Sequence, residues 1–208
     1  MEFFDFHHHK EKEVGILNLT AFQKPLERPY SVGLHPKTLQ ADYTKELLWV
    51  ETMASDPYCW AIGESGLDGL CETPDDLQQS AFKAQIQLSN SLEKPMIIHC
   101  VRRFSQLLHF YKKATTPWII HGFNKKESLA KELLDKGLYL SFGNALLHNV
   151  SLQTLFSKIP RDRYFLESDT SVSEIGEIYN KAAYLRNIDL EELKKEIEEN
   201  LKSIRAHG

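Results

Sequence analysis

Imidazole and carboxylate groups follow apolar runs at five places in this sequence: Asp5-Phe6-His7-His8-His9, Glu64, His99, His121 and Glu167-Ser168-Asp169. In an extended segment alternate residues share a face, so Asp5, His7 and His9 point the same way and His8 points away. Nitrogen and oxygen ligands of this kind suit zinc, manganese or iron, while magnesium prefers more oxygen. A divalent ion lowers the pKa of bound water towards about 7, so the chemistry such a cluster offers is hydrolysis at neutral pH. His7, His9, Glu64, His99, His121 and Asp169 are more ligands than one metal with an open position needs. Two metals sharing a carboxylate would use them all.

These groups can act together only if the fold brings them to one place. Eight apolar runs read as buried strands: 3–6, 14–19, 30–34, 59–63, 96–99, 118–121, 138–142 and 164–167. Helical patterns occupy 37–55, 74–92, 104–113, 125–136, 152–158, 173–186 and 190–204. Pro74 with Asp75 and Asp76 suits a helix start, and Asp189 suits a cap for the last helix. Strand–helix alternation predicts an α/β fold with a parallel sheet. Eight strands without a glycine-rich phosphate turn favour a TIM (β/α)8-like barrel over an open doubly wound sheet.

Such barrels run to about 250 residues, with about 200 as the lower limit, and this chain has 208. It must be trimmed. Only 26 positions separate His9 from His35, and two strands fall between them. Helices are therefore expected to be missing after the first and second strands, within one domain spanning 1–208. In a barrel the C-terminal strand ends share one rim, where active sites form.

The net charge of -4 argues against holding nucleic acid by bulk positive charge. No apolar stretch approaches the roughly 20 residues of a membrane span, and the start of the chain lacks a signal-peptide pattern. The three cysteines lack CxxC spacing, which fits reduced thiols in a cytoplasm. No stable protein partner is implied.

Six segments resemble, in order, the motifs of the TatD family of metal-dependent hydrolases, often described as deoxyribonucleases. FDFHHH resembles its D-x-H-x-H opening, SVGLHP its G-x-H-P strand end, and AIGESGLD its GEIGLD segment. KPMIIHCVR, WIIHGF and YFLESD resemble its P-x-x-I-H-x-R, HCFSG and L-x-E-T-D segments. The resemblance implies that His7, His9 and Asp169 hold one ion and that Glu64, His99 and His121 hold a second, with Glu64 bridging. It implies two divalent ions drawn from zinc, manganese or magnesium. Glu64 and Asp169 would be catalytic, with Asp169 accepting a proton from the attacking hydroxide. His35 would line the pocket and contact a phosphate. The expected activity is a phosphodiesterase or deoxyribonuclease, with DNA or another phosphodiester as substrate.

The sequence departs from the family pattern on the substrate side. Val101 stands where an arginine is usual and Arg102 follows it, Gly69 and Leu70 replace an aromatic pair, and HCFSG has become HGFNK. Arg102, Arg103, Lys125 and Lys126 follow the rim strands and are candidates for phosphate contact, with Arg102 and Lys125 foremost. Asp68 is expected to cap a loop or support a ligand, and Glu167 to need a histidine or arginine partner. His109, His148 and His207 lie off the strand ends and read as surface residues. Two alternatives stay open: a hydrolase of small amides, lactones or esters on the same scaffold, and a non-catalytic metal-binding protein.

Overall fold

A computed structural model describes residues 2–10 and 14–205. His207 lies outside the described residues. All eight expected strands form: β1 (Asp5–His8), β2 (Gly15–Leu19), β3 (Tyr30–Val32), β4 (Cys59–Asp68), β5 (Met96–Val101), β6 (Trp118–Ile120), β7 (Tyr139–Phe142) and β8 (Tyr164–Leu166). Their order in the sheet is the order in the chain. The helices are α1 (Thr44–Ala54), α2 (Asp75–Leu92), α3 (Phe104–Tyr111), α4 (Glu127–Asp135), α5 (Ala145–His148), α6 (Val150–Phe156), α7 (Ile175–Arg186) and α8 (Leu190–Arg205). This is an α/β fold with the strand sequence of a trimmed TIM-type (β/α)8 protein. Among the described residues no α-helix separates β1 from β2 or β2 from β3, as the short spacing requires.

Three elements differ from the sequence reading. β4 runs on to Asp68 rather than stopping at Gly63, so Glu64 sits inside a strand. It continues because residues 65–68 pair in parallel with residues 98–101 of β5. Gly66 allows this, since a side chain there would collide with the His99 carbonyl. The helix expected over 37–55 is a single 3-10 turn at Pro36–Thr38 followed by α1. Asp42 stops the earlier start: its Oδ1 accepts from the Thr44 N–H at 3.1 Å, an Asx turn that sets the helix to begin there. The third difference is α5, a short extra turn. Asn149 separates it from α6 by accepting from the Leu152 N–H at 3.2 Å.

The chain forms two compact units. The first comprises residues 2–10, 14–17 and 119–205, and the second residues 18–118. In the first unit β7 pairs in parallel with β6 and β8, and a parallel bridge joins His8 to Asp169. Its core is aromatic. Phe6 stacks on Phe165 with ring centres 4.1 Å apart, and Phe156 lies 5.1 Å from Tyr164. α8 is anchored by its one buried carboxylate: Glu196 Oε2 accepts from Tyr164 Oη at 2.6 Å and pairs with Arg186 Nε at 3.6 Å. Asp189 caps α8 as expected, accepting from the Glu192 N–H at 2.8 Å.

In the second unit β4 pairs in parallel with β3 and β5, and α2 packs on β4. Phe82 of α2 lies 5.4 Å from both Phe110 and Trp118, all three buried. Each such side chain contributes about 1.5–3 kcal/mol through removal from water. α2 ends at Glu93, whose left-handed φ of 53° lets the chain turn back before Pro95.

Candidate metal site

In the first unit the backbone itself brings the candidate ligands together. The Asp169 N–H donates to the His7 carbonyl at 2.9 Å, so the end of β8 is stitched to β1 beside His7 and His9. Asp169 Oδ1 then stands 3.7 Å from His7 Nε2 and 3.4 Å from His9 Nε2. Neighbouring ligands around a tetrahedral zinc with bonds of ~2.0–2.1 Å stand about 3.3 Å apart. The spacing therefore fits the edge of a coordination sphere, and the donor set of two imidazoles and a carboxylate fits a divalent transition ion. Asp169 adopts a left-handed φ of 51° to reach this position. That conformation costs on the order of 1–3 kcal/mol for a non-glycine residue, least for Asn and Asp.

Two buried carboxylates support this group. Asp5 Oδ1 accepts from the Ser168 N–H at 2.9 Å, a second stitch between the strands. Burial pushes the Asp5 carboxyl up to about 7, only partly offset by its hydrogen bonds to Ser168. Glu167, fully buried, accepts from the Gly122 N–H at 2.5 Å through Oε1 and stands 3.4 Å from His121 Nδ1. Glu167 thus has the histidine partner that its burial demands. His121 belongs to this unit, its ring 4.8 Å from that of His7.

In the second unit His99 is held at both ring nitrogens. Nδ1 is 2.9 Å from Glu64 Oε1 and Nε2 is 2.9 Å from Asp68 Oδ2. Two carboxylates facing one imidazole suit a ring that donates to one of them and could exchange the other contact for a cation. Asp68 also accepts from the Leu70 N–H at 2.8 Å, and Lys37 Nζ lies 3.5 Å away. Burial alone would raise the Asp68 carboxyl, but the hydrogen bonds from His99 and Leu70 and the charges of His99 and Lys37 outweigh it and hold it low. Asp68 therefore does both things expected of it, capping the loop and supporting a histidine.

His35 joins this group, with Nε2 3.1 Å from Glu64 Oε1. Its Nδ1 accepts from the Lys37 N–H at 3.0 Å. A neutral imidazole whose Nδ1 accepts must carry its proton on Nε2, so His35 points a donor at Glu64. That makes it a hydrogen-bonding neighbour of the carboxylate rather than a metal ligand of the usual kind. Glu64 is fixed from behind by Asn18, whose Oδ1 accepts from the Glu64 N–H at 2.9 Å.

The residues that sequence reasoning passed over are two glutamines on the buried face of α2. Gln78 accepts from the Asp68 N–H at 2.8 Å and donates to the Asp68 carbonyl at 3.1 Å. Gln85, one heptad on, does the same to Leu34, at 2.7 and 3.2 Å. They grip the backbone at Asp68 and next to His35. The available signal was two amides interrupting the apolar stripe of a helix at a spacing of seven.

The substrate-side cations are placed differently. Arg103 is engaged by Asp75 at 2.9 Å. Arg102 and Lys125 are exposed and make no ion pair among the described residues. His109 is exposed, as expected of a surface residue, and Cys100 is buried in the wall. No helix among the described residues is long and apolar enough to cross a membrane.

Comparisons with known proteins bear on the family and the fold. Residues 16–205 match the model of the family described as TatD related DNase. A 3'-5' ssDNA/RNA exonuclease TatD from Cronobacter turicensis is 30% identical over 165 residues, 76% of this chain and 62% of the relative. A metal-dependent hydrolase, YabD, from Bacillus subtilis is 28% identical over 145 residues, 67% of this chain and 57% of the relative. The matches thus span less than two thirds of those relatives' own length. The crystal structure of YJJV, a TatD homologue from Escherichia coli, superposes with a TM-score of 0.81 at 18% identity, covering 98% of each chain. With the strand order, the ligand types and the family match in agreement, the chain belongs to the TatD-related DNase family.

Proposed function

We propose that the chain hydrolyses phosphodiester bonds in single-stranded nucleic acid, using divalent ions held by histidine and carboxylate side chains. The observation that carries this reading is the first-unit triad, whose nitrogen-to-oxygen separations of 3.4 and 3.7 Å suit a coordination edge better than a hydrogen bond. The names of the relatives, an exonuclease and a metal-dependent hydrolase, support the substrate class. His7, His9 and Asp169 would hold one ion. Glu64 and His99 would hold another, with Asp68 fixing the His99 ring through Nε2. His121, oriented by Glu167, would add a further imidazole. Zinc and manganese suit these nitrogen-rich sets better than magnesium. Bound divalent ions supply an activated water and positive charge for the phosphoryl oxygens.

The chain's own groups then have distinct tasks. Asp169, about one-third exposed, accepts the proton of the attacking water at its second carboxylate oxygen. With Glu64 engaged by an ion, His35 would turn its Nε2 donor from that carboxylate to a phosphate oxygen, and exposed Arg102 and Lys125 would hold the neighbouring backbone. Cys59, Cys71 and Cys100 are reduced thiols, which supports a cytoplasmic setting. The test is cleavage of single-stranded DNA with Mg²⁺, Mn²⁺ or Zn²⁺ by wild type, Asp169→Ala and Glu64→Ala, with bound metal measured in each. Loss of cleavage in both variants is expected, and wild-type activity in either overturns its role. A second reading, hydrolysis of small esters or amides, is favoured by one observation. The cavity beside Asp169 carries no Lys or Arg on its wall. Activity on esters alone would establish it.

A further inference from the structure

Strand β2 carries one polar side chain among apolar neighbours. Ile16, Leu17 and Leu19 are buried, while Asn18 between them is half-buried. An amide in an apolar strand costs free energy unless its polar atoms are used. One of the two is used twice. Asn18 Oδ1 accepts from the Glu64 N–H at 2.9 Å and from the Ser31 hydroxyl at 3.1 Å. A backbone N–H can only donate, so the Asn18 atom facing it must be the oxygen. The amide is therefore fixed in one orientation, with Nδ2 turned away from that N–H.

Gly33 supports this contact. A Cβ there would meet the Glu64 carbonyl oxygen at 2.7 Å and Gly63 Cα at 2.8 Å, so a side chain would force Glu64 aside. Glu64 meets a second uncharged donor in His35 Nε2, 3.1 Å from its Oε1. The two donors differ in one respect. His35 Nε2 is spent on Glu64 until an ion takes that carboxylate. Asn18 Nδ2 donates to no group among the described residues, and its residue is partly open to solvent.

A donor of this kind matches a ligand atom that has lone pairs and no proton. Fixed donors act most strongly where negative charge grows during a reaction, because they need no reorganisation. Resting on the phosphodiesterase reading above, we propose that Asn18 Nδ2 donates to a non-bridging oxygen of the scissile phosphate. The acceptor half of this side chain holds Glu64 by its main chain, and the donor half holds the substrate. One amide thereby sets the phosphate against a carboxylate proposed to bind an ion.

Asn18→Asp separates the two halves. The carboxylate still accepts from Glu64 and Ser31 but has no N–H to offer. Inorganic phosphate binding to Zn²⁺-loaded protein is measured by calorimetry, with metal content, melting temperature and cleavage of single-stranded DNA. The variant should keep its metal and melting temperature. It should bind phosphate about tenfold more weakly and lose about a hundredfold in kcat/KM. Unchanged phosphate affinity in Asn18→Asp overturns the donor, since a residue that merely holds Glu64 would behave in that way. If the variant fails to fold, the Asn18 side-chain amide of wild type is followed by ¹⁵N NMR. Its Nδ2 signals should move when phosphate is added, and unmoved signals overturn the donor. DNA cleavage by wild type without these phosphate effects keeps the phosphodiesterase reading and removes Asn18 from it. The phosphate effects without DNA cleavage keep Asn18 as a donor to phosphoryl oxygen and overturn the phosphodiesterase. Absence of both overturns both.

Discussion

His9 Nε2 stands 3.4 Å from Asp169 Oδ1, whereas His99 Nδ1 stands 2.9 Å from Glu64 Oε1. Both groups combine two histidines with a carboxylate, yet they are held in different ways. The first-unit triad is spread to a coordination distance by backbone: two strand-to-strand hydrogen bonds and a left-handed Asp169. The second-unit triad is drawn to hydrogen-bond distance by its own side chains, with Asp68 and Lys37 continuing the chain of charges. An ion entering the first group would meet side chains already spaced for it. An ion entering the second must take the place of a proton between His99 and Glu64, which makes its binding dependent on pH.

The comparison is broken most directly by removing the carboxylates. Asp169→Ala and Glu64→Ala should each lower kcat/KM on the order of a thousandfold. Metal analysis should show each variant losing ion from its own group. If both variants keep full metal content, neither group is a site. Next, His99→Gln should lose metal, while His35→Gln should keep it and raise KM, because His35 Nε2 already carries a proton. Equal metal loss in the two histidine variants would make His35 a ligand after all.

Asp68→Asn sharpens the contrast further. Removing a carboxylate that orients a ligating histidine costs about 10–100-fold in metal affinity, and titration calorimetry should place that loss in the second unit only. Gln85→Ala strands the Leu34 N–H and carbonyl in the interior. The expected loss of about 1–3 kcal/mol per stranded group should appear as a lowered urea midpoint with metal content unchanged.

The smallest effect concerns Asp5. Its carboxyl is raised from 3.8 to about 7, so the folded state favours the neutral form. The stability this gives is complete below the ordinary value and is lost as pH rises through about 7. In metal-free protein the melting temperature should therefore fall between about pH 4 and about pH 7, and fall less in Asp5→Asn. Parallel profiles for the two proteins would remove Asp5 as the cause.

Much of the fold was legible because its signals are local. Runs such as residues 96–99 and 164–167 are apolar, short and bounded by polar residues, which is what a buried parallel strand requires. The ligand types at the strand ends were legible for the same reason. The extension of β4 was not, because Gly66 reads as a strand breaker until the His99 carbonyl beside it is seen. The grouping of His35 with Glu64 was not legible either, since it depends on a hydrogen bond from the Lys37 backbone that fixes the tautomer. Gln78 and Gln85 escaped because a hydrophobic stripe is read by its apolar members, while their work is done by amides reaching main chain.

The paired glutamines of α2 also bear on how such a protein can change. Residues seven apart on a helix are separated by about 10.5 Å along its axis, so α2 acts as a fixed gauge between Leu34 and Asp68. The gauge grips peptide groups and is indifferent to the side chains those residues carry. The main chain at positions 34 and 68 is therefore held in register by groups that do not depend on the side chains there. A framework that reads the main chain leaves its functional side chains open to evolutionary experiment.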